Sequence, residues 1–363
     1  MLRNGNKFPF VTIFICALFA QGCYFQTPQT SINVGVRTGS GLFSKSNFFQ
    51  GAVGAVTDIC YGNYDGINGD DVAIAGDSGA AFCSIDGTVN STVSYSSFGE
   101  IVDLVDIGKD GTSEFMMRGG WTNQSCVLDH NGNKLWEADS PGTTDDMDFG
   151  DVDGDGSLEF VAGYNGGDGI RLFDENGKRI WNRDSGNVWH VEMADTDGDG
   201  NDEIIHTSAS GSVEVRDENG RSNLSSGFNF TSGYVSWFGI SRWPGKADPY
   251  HVFSPGSGKI VVYDMNQKSV ASLDAPDMTD YGDMNITPVN LKTGEDDYLA
   301  VMKTENFADV TILLIYKSDR TLIYEEVLSK VSLGLLAVDL DGDGVDSLLV
   351  GTDGAVIKYD YTG

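Results

Sequence analysis

The chain has 363 residues, of which 40% are hydrophobic and 11% aromatic, so it can bury a substantial core. Glycine is frequent (47 residues) and proline is rare (8 residues), a composition typical of many short strands joined by tight turns. The formal net charge is −31 with only 23 Lys and Arg residues, which argues against a nucleic-acid partner because phosphate binding needs a basic surface.

Residues 1–22 predict a targeting segment. Arg3 and Lys7 form a basic start, an apolar stretch too short to span a bilayer follows, and small residues precede Cys23. This pattern resembles a bacterial lipoprotein signal, which would lipidate Cys23 and give the mature chain a membrane anchor. Because Ala20 stands where that motif usually carries Leu, a simple secretory cut is the alternative. Either way we expect export across the inner membrane, to the periplasm, the outer membrane or the cell surface.

A nine-residue acidic loop recurs along the rest of the chain. It reads DVDGDGSLE at 151–159, DTDGDGNDE at 195–203 and DLDGDGVDS at 339–347. Carboxylates at positions 1, 3, 5 and, in two copies, 9 suit a hard cation, since alternate side chains of a tight turn converge on one point. The glycines at positions 4 and 6 permit a left-handed backbone. The motif is not an EF-hand, because the closing acid stands at position 9 and strand-like sequence flanks each loop.

The aligned loops divide the chain into repeats of about 43 to 50 residues, the period of propeller blades. Six copies start at Asn63, Asp106, Asp151, Asp195, Asn290 and Asp339, and a degenerate copy lies near Ser241. Each repeat has the pattern of four strands, and Asn-Gly turns at 129–132, 174–177 and 217–220 suit hairpins between third and fourth strands. The sequence therefore predicts an all-β fold, a seven-bladed β-propeller of four-stranded antiparallel blades over residues 51–363.

The two ends of the chain indicate how the ring closes. The last repeat stops at residues 359–363, after its third strand. We expect the N-terminal segment, residues 23–50, to supply the missing outer strand of the last blade, which would remove an exposed edge. Two registers are open, one through the alternating stretch 32–36 and one through 41–49.

Three cysteines follow Cys23, namely Cys60, Cys83 and Cys126. An odd number is a poor disulfide framework, and the repeat alignment places them on strands that are not adjacent. We therefore expect buried free thiols.

The acidic loops, each followed by a strand, resemble those of the FG-GAP/VCBS-repeat family, the propeller repeats also seen at the head of integrin α subunits. The resemblance covers about residues 50–363, and it implies that the loops bind calcium at inter-strand turns on one face. Carried onto this chain, the ligand sets are Asp151, Asp153, Asp155 and Glu159; Asp195, Asp197, Asp199 and Glu203; and Asp339, Asp341 and Asp343, where Ser347 replaces the closing acid. A further set, Asp106, Asp110 and Glu114, departs from the pattern because Gly108 replaces the second ligand.

These loops are closed and rich in ligands, so we expect calcium to hold hairpins together, since a catalytic metal needs an open coordination position. The opposite face is then built from the connections between second and third strands and between successive repeats. Those segments carry aromatic and hydrogen-bonding side chains of the kind that bind glycans or peptides. The candidate ligand-binding residues are Arg118, Trp121, Tyr164, Trp189, His206, Tyr234 and Trp237. For Trp189 and Trp237, a place in the core between blades is the alternative.

No residue is predicted to be catalytic. The histidines lack an accompanying nucleophile pattern. Asp103, Asp148 and Glu192 each stand three residues before a loop in successive repeats, and this repetition favours a structural or channel-lining role over general acid–base chemistry.

The predicted function is that of a non-enzymatic, calcium-stabilised propeller, secreted or surface-anchored, which binds a glycan or protein ligand in adhesion or recognition. One alternative is a polysaccharide-active, lyase-like enzyme that works on the propeller face. Another is a scaffold subunit whose acidic rim docks a partner. Propeller folds host all three, so the fold alone does not choose among them.

Overall fold

The computed structural model describes residues 32–66, 71–94, 99–119, 125–139, 142–209, 211–222, 237–245, 247–276, 278–279, 282–305 and 309–363. All of them belong to one compact unit, Ile32–Gly363. The predicted targeting segment with Cys23, and the candidate ligand residues Trp121 and Tyr234, lie outside the described residues. Within the described part, no helix is long and apolar enough to cross a membrane.

The described chain is almost entirely β, with one 3-10 turn at Asn165–Gly167. The first thirteen strands are β1 (Gly35–Thr38), β2 (Phe43–Gly62), β3 (Asp71–Gly76), β4 (Gly79–Ser84), β5 (Val89–Ser94), β6 (Gly99–Val105), β7 (Glu114–Gly119), β8 (Cys126–Leu128), β9 (Lys134–Glu137), β10 (Thr144–Gly150), β11 (Glu159–Tyr164), β12 (Ile170–Phe173) and β13 (Arg179–Arg183). The remaining strands are β14 (Val191–Ala194), β15 (Glu203–Thr207), β16 (Val213–Arg216), β17 (Gly239–Arg242), β18 (Tyr250–Gly256), β19 (Lys259–Asp264), β20 (Ser269–Asp274), β21 (Met284–Val289), β22 (Tyr298–Glu305), β23 (Val310–Tyr316), β24 (Leu322–Ser329), β25 (Leu335–Val338), β26 (Ser347–Gly351) and β27 (Asp353–Tyr361).

These strands form six antiparallel sheets that follow one another along the chain. Four sheets use consecutive strands: β6 to β9, β10 to β13, β14 to β16 and β17 to β20. A five-stranded sheet has the order β1-β24-β23-β22-β21, and a seven-stranded sheet has the order β25-β26-β27-β2-β3-β4-β5. The first strands of neighbouring sheets pack side by side, as β2 does with β6, β10 with β14, and β21 with β25. The fold is therefore the predicted β-propeller, with the first strand of each blade at the centre.

The long strand β2 takes part in two four-stranded sets. Its residues 43–55 pair with β27, and its residues 56–62 pair with β3. The seven-stranded sheet thus contains β25-β26-β27-β2 at one end and β2-β3-β4-β5 at the other. The separate sheets number six among the described residues, so the count of seven blades stays a prediction.

The N-terminal stretch pairs with two different sheets. Of the two registers considered for the closing strand, residues 43–50 are the ones that pair with β27, with Phe43 opposite Tyr361. The stretch around residues 32–36 lies elsewhere, because β1 pairs with β24 of the preceding sheet. Two ion pairs accompany these contacts, Arg37–Glu325 at 3.3 Å and Lys45–Glu326 at 2.5 Å. Each pairing covers a strand edge that would otherwise be open.

The core lies between the sheets. Second and third strands such as β11 and β12 bury every residue, because each face packs on a neighbouring sheet. Trp136 of β9 packs on Phe160 and Phe173 of the next sheet, at ring-centroid distances of 5.1 and 6.0 Å, so it lies between two blades. A side chain at Gly177 would come within 2.6 Å of the Trp136 ring, and its φ of 75° also favours glycine.

The three described cysteines are buried free thiols, as predicted. Burial raises the pKa of Cys83 to about 12 and that of Cys126 to about 11. They therefore stay protonated at neutral pH and act as small apolar side chains.

Candidate functional site

Each complete acidic loop joins the first strand of a sheet to the second. In all three, the position-1 aspartate accepts a hydrogen bond of 2.7–2.8 Å from the N–H of the position-4 glycine. Asp151 and Asp339 also accept one from the position-6 glycine, at 2.8 and 2.9 Å. The glycines at positions 4 and 6 have φ between 73° and 96°, the left-handed conformation predicted for them. The loop backbone thus curls around the position-1 carboxylate, which accepts its N–H groups.

Three groups of acidic side chains converge in these loops, and in each group one oxygen per residue lies within 4.8 Å of the others. The groups are Asp151, Asp153 and Glu159; Asp195, Asp197 and Asp199; and Asp339, Asp341 and Asp343. All the donors are carboxylate oxygens, which are the ligands of hard cations. The donor set therefore fits a hard metal ion.

The closing acid at position 9 also holds the loop backbone. Glu159 accepts a hydrogen bond from Val152 N–H at 3.1 Å, and Glu203 accepts one from Thr196 N–H at 2.9 Å. Burial and the neighbouring aspartates raise the pKa of Glu159 to about 7. A bound cation would remove this penalty, because it stabilises the ionised form.

The predicted set Asp106, Asp110 and Glu114 does not form such a group among the described residues. Gly108 supplies no carboxylate at position 3, and Lys109 at position 4 adopts a φ of 51° and donates a hydrogen bond to the carbonyl of Gly156 in the adjacent loop. This loop therefore keeps the common backbone but lacks the converging oxygens.

Two aspartates at position 8 tie neighbouring sheets together, and no sequence prediction covered them. The Asp202 carboxylate accepts a hydrogen bond from Asp151 N–H at 3.0 Å, while Asp202 N–H donates to the Asp151 carbonyl at 2.9 Å. Asp346 pairs in the same way with Asn290, at 2.7 and 2.8 Å. The available signal was the recurrence of Asp at position 8 in two of the loops. We call these pairs the interblade clasps.

The first strands surround a cavity of about 710 Å³, which we call the central cavity. Seven acidic residues line it, together with two basic ones: Asp58, Asp77, Asp103, Asp146, Asp148, Glu192 and Asp283, with Arg118 and His190. Most of its lining comes from the beginnings of the first strands, from the β3–β4 turn and from the end of β7. It therefore lies toward the face away from the acidic loops, where the sequence predicts the ligand.

The three recurring carboxylates Asp103, Asp148 and Glu192 all lie on this lining, so the channel-lining interpretation is confirmed. Asp103 accepts a hydrogen bond from Leu104 N–H at 2.7 Å. Asp148 accepts one from the next residue at 2.8 Å and another, of 2.5 Å, from Met193 N–H in the adjacent sheet. The bond from Met193 to Asp148 therefore joins two neighbouring first strands, β14 and β10, which share no sheet ladder.

Five of the cavity carboxyls are harder to ionise than free ones. Burial raises the pKa of Asp103 to about 6. Burial and then neighbouring acids raise the pKa of Asp58 well above its usual range, and burial together with Glu192 does the same for Asp148. Burial likewise raises the pKa of Glu192 and of Asp283. A cation placed in the cavity would favour the ionised form of these carboxyls.

The two basic residues of the cavity are already bonded within the protein. His190 contacts Asp146 at 2.5 Å and Glu192 at 3.0 Å. Burial lowers its pKa, but these carboxylates outweigh burial and raise it to about 10, so the ring is an imidazolium at neutral pH. Arg118 donates a hydrogen bond to the Asp145 carbonyl and lies 3.9 Å from the Asp146 carboxylate.

Of the candidate ligand residues, Arg118 and Trp237 both line the central cavity. The Trp237 ring stacks on His190, with a centroid distance of 4.0 Å and an interplanar angle of 18°. Trp189 is half-buried beside this group, and its N–H donates to the Thr207 hydroxyl at 2.9 Å.

Tyr164 and His206 are fully buried, so their assignment to an exposed ligand site is corrected. Both lie at the ends of second strands, which neighbouring sheets cover. Tyr164 packs against the Arg171 guanidinium at 4.9 Å. His206 donates to the Thr207 carbonyl at 2.8 Å and accepts from Arg216 at 2.9 Å, and burial lowers its pKa to about 3. It is therefore a neutral core residue.

No protein-family model matches the chain, and no curated protein matches it either. Solved structures do resemble it. BBS1N, solved in complex with ARL6DN, has 14% sequence identity and a TM-score of 0.62 over 88% of this chain and 97% of that one. The V. cholerae biofilm matrix protein Bap1 has 12% identity and a TM-score of 0.52 over 91% of this chain and 84% of that one. The Neurospora crassa Pan2 WD40 domain has 9% identity and a TM-score of 0.56 over 92% and 98%. At these identities the likeness shows the propeller fold alone.

Proposed function

We propose that this protein is a non-enzymatic β-propeller of the FG-GAP/VCBS type that recognises a glycan or protein ligand at its central cavity. The observation that carries the proposal is the cavity itself, about 710 Å³ in volume and lined by charged side chains together with Trp237. This volume falls in the range of ligand-binding pockets. Two of the similar structures support a recognition role by name, since BBS1N was solved in complex with ARL6DN and Bap1 is a biofilm matrix protein.

We further propose that calcium stabilises the fold at the acidic loops. Each ion would be held by one of the three converging carboxylate groups, around Asp151, Asp195 and Asp339. The oxygen-only donor sets fit calcium, which accepts flexible shells of carboxylate ligands. The ion would supply positive charge that offsets repulsion among the carboxylates, so it would act as a folding cofactor.

We also propose that the protein is exported and works at the cell surface or in the periplasm, anchored through Cys23. The charged start, apolar stretch and small residues before Cys23 support this location. Replacing Cys23 with Ser should release the protein from the membrane fraction of the cells that produce it. Retention of the Cys23→Ser variant in that fraction would contradict the anchor.

A glycan array and a protein pull-down, both in calcium buffer, test the recognition proposal. The informative variants are Arg118→Ala and Trp237→Ala, and Ile180→Ser is the matched control because Ile180 is exposed on the outer strand β13. We expect each cavity variant to weaken binding by about tenfold or more, as for central interface residues, while the control stays unchanged. Unchanged binding by both folded cavity variants would contradict the proposed site.

A polysaccharide-active, lyase-like enzyme is the second candidate, and one observation favours it. Burial raises the pKa of Asp103 to about 6 and also raises those of Asp58 and Asp148, and these carboxyls line the same cavity as Arg118, a combination found in acid–base catalysis. The backbone bonds of these carboxyls give them a structural role as well. Incubation with acidic polysaccharides, followed by an assay for unsaturated products, decides between the binding protein and the enzyme. Product formed by the unmodified protein and lost in the Asp148→Asn variant would favour the enzyme.

A further inference from the structure

We propose that the occupant of the central cavity is a basic segment of a protein partner, which inserts a lysine or arginine side chain between the first strands. This inference rests on the proposed function, because it names the partner class for the same cavity. Three features of the lining carry it: the balance of charge, the spacing of the carboxylates and the character of the walls.

The charge of the cavity is not balanced from within. Seven lining residues are acidic and two are basic, and both basic residues already contact Asp146. Within the described residues, Asp58, Asp103 and Asp148 form no ion pair, and their carboxylates accept hydrogen bonds from backbone N–H groups only. Among the described residues, these three acids thus have no ion-pair contact in a partly desolvated space. A ligand that brings positive charge would relieve this repulsion.

The spacing of these acids excludes a small ion as the occupant. Among the described residues, the groups of acidic side chains whose oxygens converge within 4.8 Å lie in the acidic loops, and none includes a cavity residue. A divalent metal needs ligand oxygens at about 2.0–2.6 Å from one centre, so the cavity carboxylates are too dispersed to chelate it. A larger cation that carries several hydrogen-bond donors can reach dispersed carboxylates, as a guanidinium does.

The walls of the cavity suit the stem of a long basic side chain. Met147, Met284 and Leu333 line it together with the acids. Lysine and arginine bury their methylene stems along apolar surface while the charged head reaches polar partners. Thr57 also lines the cavity, and its buried hydroxyl has no hydrogen-bond partner among the described residues. Apolar walls, acidic groups and a spare hydroxyl together match an extended side chain with a cationic end.

A protein segment fits this lining better than a glycan does. Sugars stack on open aromatic faces, and Trp237 offers little such surface, because His190 covers one face at 4.0 Å and the ring also packs on a buried apolar cluster. The net charge of −31 would in addition attract a basic partner over a distance and speed its association at low salt.

Fluorescence anisotropy with labelled octalysine and octaarginine peptides tests the proposal on the full mature chain in calcium buffer. The test variant is Asp103→Asn/Asp148→Asn, in which an amide oxygen can still accept the bond from Leu104 N–H and one of the two backbone bonds made to Asp148. The control is Asp353→Asn, an exposed acid at the start of β27. We expect the double variant to weaken peptide binding about tenfold or more and the control to change it by less than about twofold.

If the peptides bind the acidic surface in general, the test variant and the control will weaken peptide binding equally. That result would overturn the proposal. If the double variant does not fold, a peptide with lysine replaced by norleucine gives the second measurement, and equal binding of that peptide would also overturn it. Free arginine competing as well as octaarginine at equal concentration would indicate a small amine ligand in place of a protein. A neutral or acidic glycan whose binding depends on Arg118 but survives the double variant would refute this inference and leave the proposed function intact.

Discussion

The acidic loops and the central cavity are both built from carboxylates, yet the two regions use them differently. In the loops, oxygens of three acids converge within 4.8 Å, and residues such as Asp153 and Asp199 are exposed. In the cavity, the acids are dispersed, burial raises their pKa values, and each of Asp58, Asp103 and Asp148 is tied to a backbone N–H. Carboxylates that converge favour the binding of a small hard ion, whereas dispersed carboxylates favour the binding of a larger cation or a purely structural role. The comparison shows that spacing and burial, more than residue type, decide what an acidic cluster can bind.

Removing the proposed calcium ions is the change with the largest expected effect on this comparison. A ligand present at 100 times its Kd stabilises the folded state by about 2.7 kcal/mol per site, so three loops would contribute about 8 kcal/mol. We expect excess chelator to lower the Tm by about 10 °C or more. Scanning calorimetry with and without chelator, at matched ionic strength, measures this. An unchanged Tm would mean that the converging loops do not depend on calcium.

The interblade clasps test whether the loop region holds the sheets together without an ion. Replacing Asp202 with Ala removes the acceptor of the Asp151 N–H and should cost about 1–3 kcal/mol of unfolding free energy. Urea denaturation in the presence of chelator measures it, and Asp184→Ala, at an exposed position, is the control. Because the clasp is formed by protein atoms, the loss should persist in chelator. A loss seen only with calcium would assign Asp202 to the ion site.

The contribution of the cavity carboxyls to folding stability should change with pH in the opposite sense from that of a salt-bridged carboxylate. Burial raises the pKa of Asp103 to about 6, compared with about 3.9 in the unfolded chain. The folded state therefore holds the proton more tightly, and its stability contribution is full below about pH 4 and is lost as pH rises through 6. Asp58, Asp146, Asp148 and Arg118 also line this cavity.

Asp103→Asn should then stabilise the protein by about 1–3 kcal/mol at pH 7 and by much less at pH 4. The matched loop substitution is Asp153→Asn, which should destabilise the protein in calcium. Urea denaturation of both variants at the two pH values measures the contrast. If Asp103→Asn were destabilising at pH 7, the carboxylate would have a favourable partner that the cavity geometry does not show.

The periodicity of the sequence was enough to predict the parts of the fold that repeat. The loop positions, the four-strand pattern, the buried thiols and the alignment of Asp103, Asp148 and Glu192 on the channel all follow from a repeat that places equivalent residues in equivalent surroundings. Arg118, near the end of β7, and Trp237, just before β17, both line the central cavity.

Features that depend on how neighbouring sheets dock could not be predicted in this way. Tyr164 and His206 belong to second strands that the adjacent sheets bury, so their polar character gave a misleading signal. Asp283 reaches the cavity from a position seven residues before its loop, where the other aligned repeats carry no acid. The pairing of β1 with β24 brings together residues that are far apart in the sequence; Arg37 and Glu325, for example, are separated by 288 positions. No local sequence pattern marks such a contact.

The smallest expected effect comes from replacing Lys109. This residue belongs to the 106–114 loop, which lacks converging carboxylates, and it contacts the 151–159 loop, which has them. Its ammonium bonds to the Gly156 carbonyl, and its charge lowers the pKa of Asp155 after the larger effect of the Ser157 hydrogen bonds. A positive charge there should oppose calcium binding in the 151–159 loop, but only weakly because the group is exposed. Lys109→Gly removes the charge and also suits the φ of 51°.

We expect Lys109→Gly to strengthen calcium binding about two- to fivefold, equivalent to under about 1 kcal/mol, as measured by isothermal titration. Lys178→Gly, an exposed lysine on the turn before β13, is the control and should have no effect. Weaker calcium binding in Lys109→Gly would show that the Lys109 contact orders the neighbouring loop more than its charge repels the ion.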